Sequence, residues 1–200
     1  SAAQHSQMLE SWFVHLPGVI VVTPSTPADA AGLLVSAIRS DDPVLFFDPK
    51  NLFPVTGEVA SVIEPIPFGK ARIAREGRDL TIVSWSAIMP AVEQAAATLA
   101  GEGIDAEVLD LRTLWPWDQE AVSASVEKTG RLLVVQEAVS VAGFGAEVVS
   151  TVIETIGPAK VKAARRLGAP RIPVPFSPPL EDAVKVTPAK IVAAAKAAMG

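Results

Sequence analysis

The chain reads as an α/β protein whose sheets are mainly parallel. Three observations support this. Short apolar strand-like runs alternate with amphipathic helical stretches from end to end. Helix starts and stops carry recognisable caps, such as Thr26-Pro27-Ala28-Asp29 and Asp118…Gly130. Most of the 17 prolines gather at 24–27, 43–54, 65–67 and 170–179, between the periodic stretches rather than inside them.

Taken in order, Met8, Leu9, Trp12, Phe13 and Leu16 recur at helical spacing, so 6–16 is expected to be a helix stopped by Pro17-Gly18. Val19–Val22 reads as a buried strand. Thr26 is a good N-cap, Pro27 fits the first helical position, and Asp29 can answer the cap. Ala30, Leu33, Leu34, Ala37 and Ile38 form the stripe expected to face inward, and Val44–Phe47 the next buried strand. Residues 48–67 show no sustained period and read as a linker.

A second regular region starts at Phe68. Alternation over Lys70–Arg75 predicts a half-exposed strand, and Leu80–Trp85, Ala106–Leu109 and Leu132–Val135 predict buried ones. Helices are expected at 90–100, closed by Gly101, at 119–129, closed by Gly130, and at 144–156, closed by Gly157. A strand over Val161–Arg166, an irregular Pro-rich stretch at 167–186 and a helix from Thr187-Pro188 complete the reading. The expected organisation is a first unit at 1–47, a linker at 48–67 and an α/β domain at 68–200. Two strands and two helices are too few to close a doubly wound sheet. The first unit is therefore expected to be a fragment, or to borrow from another chain.

Composition narrows the function classes. Half of the 200 residues are hydrophobic, which supports a full core and excludes intrinsic disorder. The net charge of −5, with no basic tract, argues against nucleic acid as a partner. No apolar run approaches the ~20 residues that a membrane-spanning helix needs, and the first residues do not read as a signal peptide. With no cysteine, disulfides, thiolate catalysis and Cys-ligated metals are excluded, and a cytoplasmic location is the simplest expectation. The two histidines, His5 and His15, sit ten apart, which is not a metal-ligand helix spacing.

His5 precedes a helix start, where imidazolium is disfavoured and a neutral ring could hand a proton either way. The bland reading is a polar cap-region residue, and the residues alone favour it. His15 reads as a packing histidine, and Gly143-Phe144-Gly145 as a tight strand–helix turn rather than a phosphate cradle. Trp115-Pro116-Trp117 reads as a loop cluster buried against its own domain, or as a partner-binding edge.

Several segments in order then resemble a known family. These are His5-Ser6-Gln7 with Trp12-Phe13-x-His15-x-Pro17-Gly18, and Val21-Val22-x-Pro24-Ser25-x-Pro27-x-Asp29-Ala30-x-Gly32-Leu33-Leu34. Further on come Ile66-Pro67-Phe68-Gly69-Lys70-Ala71, Asp110-Leu111-Arg112-Thr113-Leu114-x-Pro116-x-Asp118, and Glu137-Ala138 leading to Gly143-Phe144-Gly145-Ala146-Glu147. The set resembles the β subunit of the E1 component of 2-oxo acid dehydrogenase complexes, of the pyruvate, branched-chain 2-oxo acid or acetoin type. The resemblance implies part of a pyrimidine-binding domain followed by a transketolase C-terminal-type domain. It also implies thiamine diphosphate with Mg²⁺, an α₂β₂ assembly with an E1 α subunit and a second β subunit, and acyl transfer to a lipoyl-bearing E2. A non-catalytic module for assembly or E2 docking is the competing reading.

By the same resemblance, His5 is the active-site histidine of the His-Ser-Gln motif. The turn at Ala37, Ser40 and Asp42 matches a K⁺ site, where the family usually has Asp in place of Ser40 and Asn in place of Asp42. Trp115, Trp117 and the 170–180 loop are expected to serve subunit or E2 contacts. The glutamate that bonds the aminopyrimidine in this family precedes His-Ser-Gln and has no counterpart here, so residues 1–200 alone are expected to be inactive. Thr56-Gly57-Glu58-Val59 and Pro65-Ile66-Pro67 resemble pyruvate and acetoin members slightly more than the others.

Overall fold

The computed structural model describes residues 5–200. A five-stranded sheet forms the larger body, in the order β3 (Arg72–Arg75), β5 (Ala106–Asp110), β4 (Leu80–Ser84), β7 (Arg131–Val139), β8 (Ala163–Ala169). All its neighbours pair in parallel except β3, which runs antiparallel to β5 at the edge. Apolar helices cover both faces, as a parallel sheet requires. On one side α3 (Met89–Gly101) and α7 (Pro188–Met199) bury Val92, Leu99 and Ile191 against Leu80 and Ile82. On the other, α4 (Gln119–Thr129) and α5 (Gly145–Ile156) bury Val122, Val126, Val148 and Val152 against Val83 and Leu132.

The helix ends follow the expected chemistry. Thr187 caps α7 through the Lys190 amide, Asp118 caps α4 through the Ala121 amide, and Gly130 ends α4 at φ +71°. Gly101 proves to be the last residue of α3 rather than its stop. The left-handed turn falls at Gly103 (φ +83°), where only glycine is unstrained.

The smaller sheet has three strands in the order β2 (Val44–Phe46), β1 (Ile20–Val22), β6 (Thr113–Trp115). The third strand was not foreseen. It comes from the Asp110–Asp118 motif of the second unit and runs antiparallel to β1, with Val21 opposite Trp115 and Val22 opposite Thr113. The first sheet thus gains its third strand from the same chain.

Other expectations are corrected. The helix expected over 6–16 is one short turn, α1 (Glu10–Val14), because residues 5–9 are drawn out to line a cleft. In α2 (Pro27–Arg39), Leu33 faces the core, but Leu34 is exposed and Ile38 is 76 % exposed. Strand β2 is half-buried along its length rather than buried. The stretch 167–186 is more regular than expected: β8 runs to Ala169, and α6 (Pro178–Val184) opens on two prolines, which suit the first helical turn. Among the described residues no helix is long and apolar enough to cross a membrane.

Residues 53–71 carry no helix or strand. This segment is nonetheless fixed against α2: the Ile66 amide donates to the Gly32 carbonyl at 3.1 Å, and the Ser36 hydroxyl donates to the Ile66 carbonyl at 2.6 Å. A Cβ on Gly32 would lie 2.6 Å from the Ile66 side chain and 3.0 Å from the Glu64 carbonyl oxygen. A glycine in a helix interior costs ~1 kcal/mol relative to alanine, so this one is explained by the strand of chain crossing it. Gly32→Ala is therefore expected to destabilise the protein by about 1–2 kcal/mol, the cost of overpacking, in urea unfolding. A gain in stability would mean that the 64–66 crossing does not hold.

Candidate active site

Strand ends and helix starts place the site. The carboxyl ends of β4, β7 and β8 open on the same side as the chain leaving β2, the usual position for a ligand crevice in a parallel sheet. A cleft of about 750 Å³ lies there. His5, Ser6, Gln7, Met8 and Leu9 form one wall, and Phe47–Asn51 after β2 form another. The second unit contributes Ala87 and Ile88 after β4, Glu137 of β7, Ala169 at the end of β8, and Glu181 and Lys185 from α6 and its end. His5 thus lines a cleft built by both units. Its side chain is exposed.

Three contacts tie the His5 wall to the larger body. The Ser6 hydroxyl donates to Glu181 Oε1 at 3.1 Å. The Trp85 indole N–H donates to Glu10 Oε1 at 3.2 Å. The Phe144 amide, at the start of α5, donates to Ser11 Oγ at 3.0 Å. Beneath them Phe144 stacks edge-on against Trp85 and Trp117, with centroids 5.7 and 6.1 Å apart.

Two carboxyls, Glu10 behind the cleft and Glu137 in its lining, carry raised pKa values. Glu10 is fully buried, and desolvation pushes it up to about 7, against the opposing pull of its own backbone amide and Trp85. The nearby Glu137 charge adds to the rise, and Glu10 Oε2 has no hydrogen-bond partner among the described residues. Burial also raises Glu137, partly offset by the Lys185 charge. Sequence reasoning did not single out Glu10, Glu181 or Lys185. Glu10 stands in the first turn of a helix, where acidic residues are ordinary, and nothing local marks it as buried.

The remaining candidates lie apart from His5. At the end of α2 the Ser40 amide donates to the Ala37 carbonyl at 3.3 Å, and the Ser40 hydroxyl accepts from the Asp42 amide at 3.2 Å. The K⁺ expectation there rests on resemblance alone. His15, expected to pack, is instead exposed beyond α1. Trp117 is 5 % exposed and belongs to the core, so only Trp115 of that pair offers surface. Gly143 and Gly145 leave no room for a phosphate. Gln136 fills the turn, its amide donating to the Val139 carbonyl at 2.8 Å and its carbonyl accepting from the Gly145 amide at 2.8 Å. A Cβ on Gly143 would lie 1.9 Å from Gln136 Nε2. Among the described residues no group of three or more His, Asp or Glu could hold a metal ion.

The folded value for Glu10 lies above its ordinary 4.5, so the native state holds a proton there that the unfolded chain releases. That contribution to stability is full below pH about 4.5 and is lost as pH rises to about 7. Glu10→Gln keeps the acceptor for Trp85 and removes the titration. Relative to the parent, the variant is expected to gain unfolding free energy between those pH values. A pH-independent difference would show that Glu10 does not hold the proton.

Comparison with known proteins agrees with this architecture. The family described as "Transketolase, C-terminal domain" matches residues 69–191, and "Transketolase, pyrimidine binding domain" matches residues 1–56. The acetoin:2,6-dichlorophenolindophenol oxidoreductase subunit beta of Cupriavidus necator is 47 % identical over 100 % of this chain and 59 % of its own length. The protein of the same name from Bacillus subtilis is 43 % identical over 96 % of the chain and 56 % of its own length. The pyruvate dehydrogenase E1 component subunit beta of Porphyra purpurea is 40 % identical over 97 % and 59 %. The chain therefore spans less than two thirds of these relatives. A solved structure described as a split gene transketolase, inactive beta4 tetramer, shares the fold, with TM-score 0.77 and 24 % identity over 95 % of this chain and 60 % of that one. The chain belongs to the transketolase family, as a pyrimidine-binding element followed by a transketolase C-terminal domain, and is similar along its length to E1-type β subunits.

Proposed function

We propose that the chain is the β-subunit portion of a thiamine diphosphate-dependent E1 enzyme acting on a pyruvate-like 2-oxo acid or on acetoin, with acyl transfer to a lipoyl-bearing E2. The observation that carries this reading is His5, of the His-Ser-Gln motif, standing on a cleft at the carboxyl ends of the parallel strands. The names of the relatives support the substrate class.

Bound thiamine diphosphate would supply the electron sink for carbon–carbon bond cleavage. The described residues do not fit its metal-bound diphosphate, since they offer no metal-ligating cluster. That end is assigned to the α subunit. What this chain contributes is a wall. Met8, Leu9, Phe47 and Ile88 limit access of water, and the His5 imidazole can take or give a proton at the mouth of the cleft. Partner subunits fit the surface as well: Trp12 is 70 % exposed and Ile38 76 % exposed, large apolar groups that an assembly would cover.

In the assembled enzyme, His5→Ala is expected to lower turnover by roughly 10²–10⁴-fold, the range for loss of an acid–base group. The unfolding midpoint should not change, because the side chain is exposed. Steady-state kinetics on α subunit plus full-length β subunit checks this. Parent-like turnover in the variant would favour the non-catalytic assembly module instead.

A further inference from the structure

His5 is exposed and sits five residues before the short helix α1, so its own contacts do not explain its placement. Its neighbour Ser6 does have a fixed partner. The Ser6 hydroxyl donates to Glu181 Oε1 across 175 residues of sequence, and Glu181 is only 7 % exposed. Glu181 is itself held in place. Its amide donates to the Ser177 carbonyl at 2.9 Å, in the turn that Pro178 and Pro179 start. Lys185 Nζ lies 3.8 Å from Glu181 Oε1, giving the buried carboxylate a counter-charge. Lys190, from α7, donates to the carbonyls of Ala183 and Lys185 at 2.6 Å each, fixing the carboxyl end of α6 to the larger body.

We propose that Glu181 is the positioning residue for His5, acting through Ser6. This rests on the reading of His5 as the proton-handling group. The fixed Oε1 acceptor gives the Ser6 hydroxyl one place to bond, and a rigid second support of this kind is what holds an exposed reactive side chain in a productive geometry. The larger body thereby sets the place of a residue that belongs to the smaller one. The segment 167–186, Pro-rich and expected to be irregular, acquires a role inside the site.

The test uses α subunit with full-length β subunit. Ser6→Ala and Glu181→Ala are each expected to lower kcat by about tenfold to a hundredfold, the cost of a misplaced reacting group. The double variant should lose no more than the larger single loss, because both changes break one contact. Glu181→Gln retains the Oε1 acceptor and is expected to restore kcat to within about twofold of the parent, which a loss of packing would not allow. The rate of His5 carbethoxylation, read on its peptide by mass spectrometry, should change in both Ala variants and stay at the parent value in Glu181→Gln. Independent losses that add, a Gln variant as impaired as the Ala variant, or unchanged His5 reactivity in both Ala variants would each overturn the proposal. If the parent assembly shows no thiamine-dependent turnover, the functional reading fails by itself, and the His5 reactivities still decide the positioning.

Discussion

The two units of the chain meet around one ionic cluster whose carboxylates are buried, and the rest of the structure depends on it. The Arg72 guanidinium, from β3, lies 3.1 Å from Asp110 Oδ2 at the end of β5 and 3.4 Å from Asp29 Oδ2 in the first turn of α2. Arg112 pairs with the other oxygen of Asp29 at 3.1 Å and donates to the Lys70 carbonyl at 3.0 and 2.7 Å. The Ser25 hydroxyl donates to Asp110. Burial pushes Asp110 up to about 6, although Ser25 and Arg72 both oppose the rise. A cluster of this kind is not a large source of net stability, since desolvation takes back most of the Coulomb gain. Its effect is on register. The Asp29 and Asp110 carboxylates, both out of water, tolerate few alternative placements of the two half-buried guanidinium groups, so the cluster defines how α2 sits on β3 and β5.

The same short motif does several jobs at once. Asp110 and Arg112 join the cluster, and Arg112 adopts φ +61°, the turn that sends β6 back towards β1. The Arg112 carbonyl accepts the Thr23 amide at 2.7 Å. The Thr113 hydroxyl accepts from the Gly69 amide at 2.9 Å and donates to the Pro116 carbonyl at 2.7 Å. Asp118 caps α4 with one oxygen and accepts from the Ala71 amide at 3.0 Å with the other. Docking of the smaller sheet, entry of the crossing segment and the start of α4 are therefore coupled through nine residues. Because β2 and the Phe47–Asn51 wall ride on that sheet, the shape of the cleft follows from the same motif.

Much of this fold is legible locally. Thr26-Pro27-x-Asp29, Asp118, Gly130 and Thr187-Pro188 each name a helix end by chemistry that acts within four residues, and the helices stand there. Ile82, Val92 and Val148 are buried because their periodicity matches one apolar face. What could not be read depends on distant partners. Thr113–Trp115 becomes a strand only because β1 offers an open edge. Leu34 and Ile38 follow the helical period yet face outward, since nothing among the described residues covers that side of α2. Of the site, the motif around His5 was readable as a resemblance, while Glu10 and Glu181 were not. Their importance comes from burial beside Trp85 and Ser6, contacts that no local pattern encodes.

The ionic cluster and the β1–β6 pairing join the two sheets, so they are expected to unfold as one cooperative body. Native-state hydrogen exchange on the Thr23 amide, which bonds across the junction, measures this most directly. If the two bodies open only together, Thr23 exchanges with the same free energy and denaturant dependence as the Val83 and Val134 amides of the central strands β4 and β7. If Thr23 exchanges through a lower-energy opening while β4 and β7 stay protected, the smaller sheet opens by itself, and the account is contradicted.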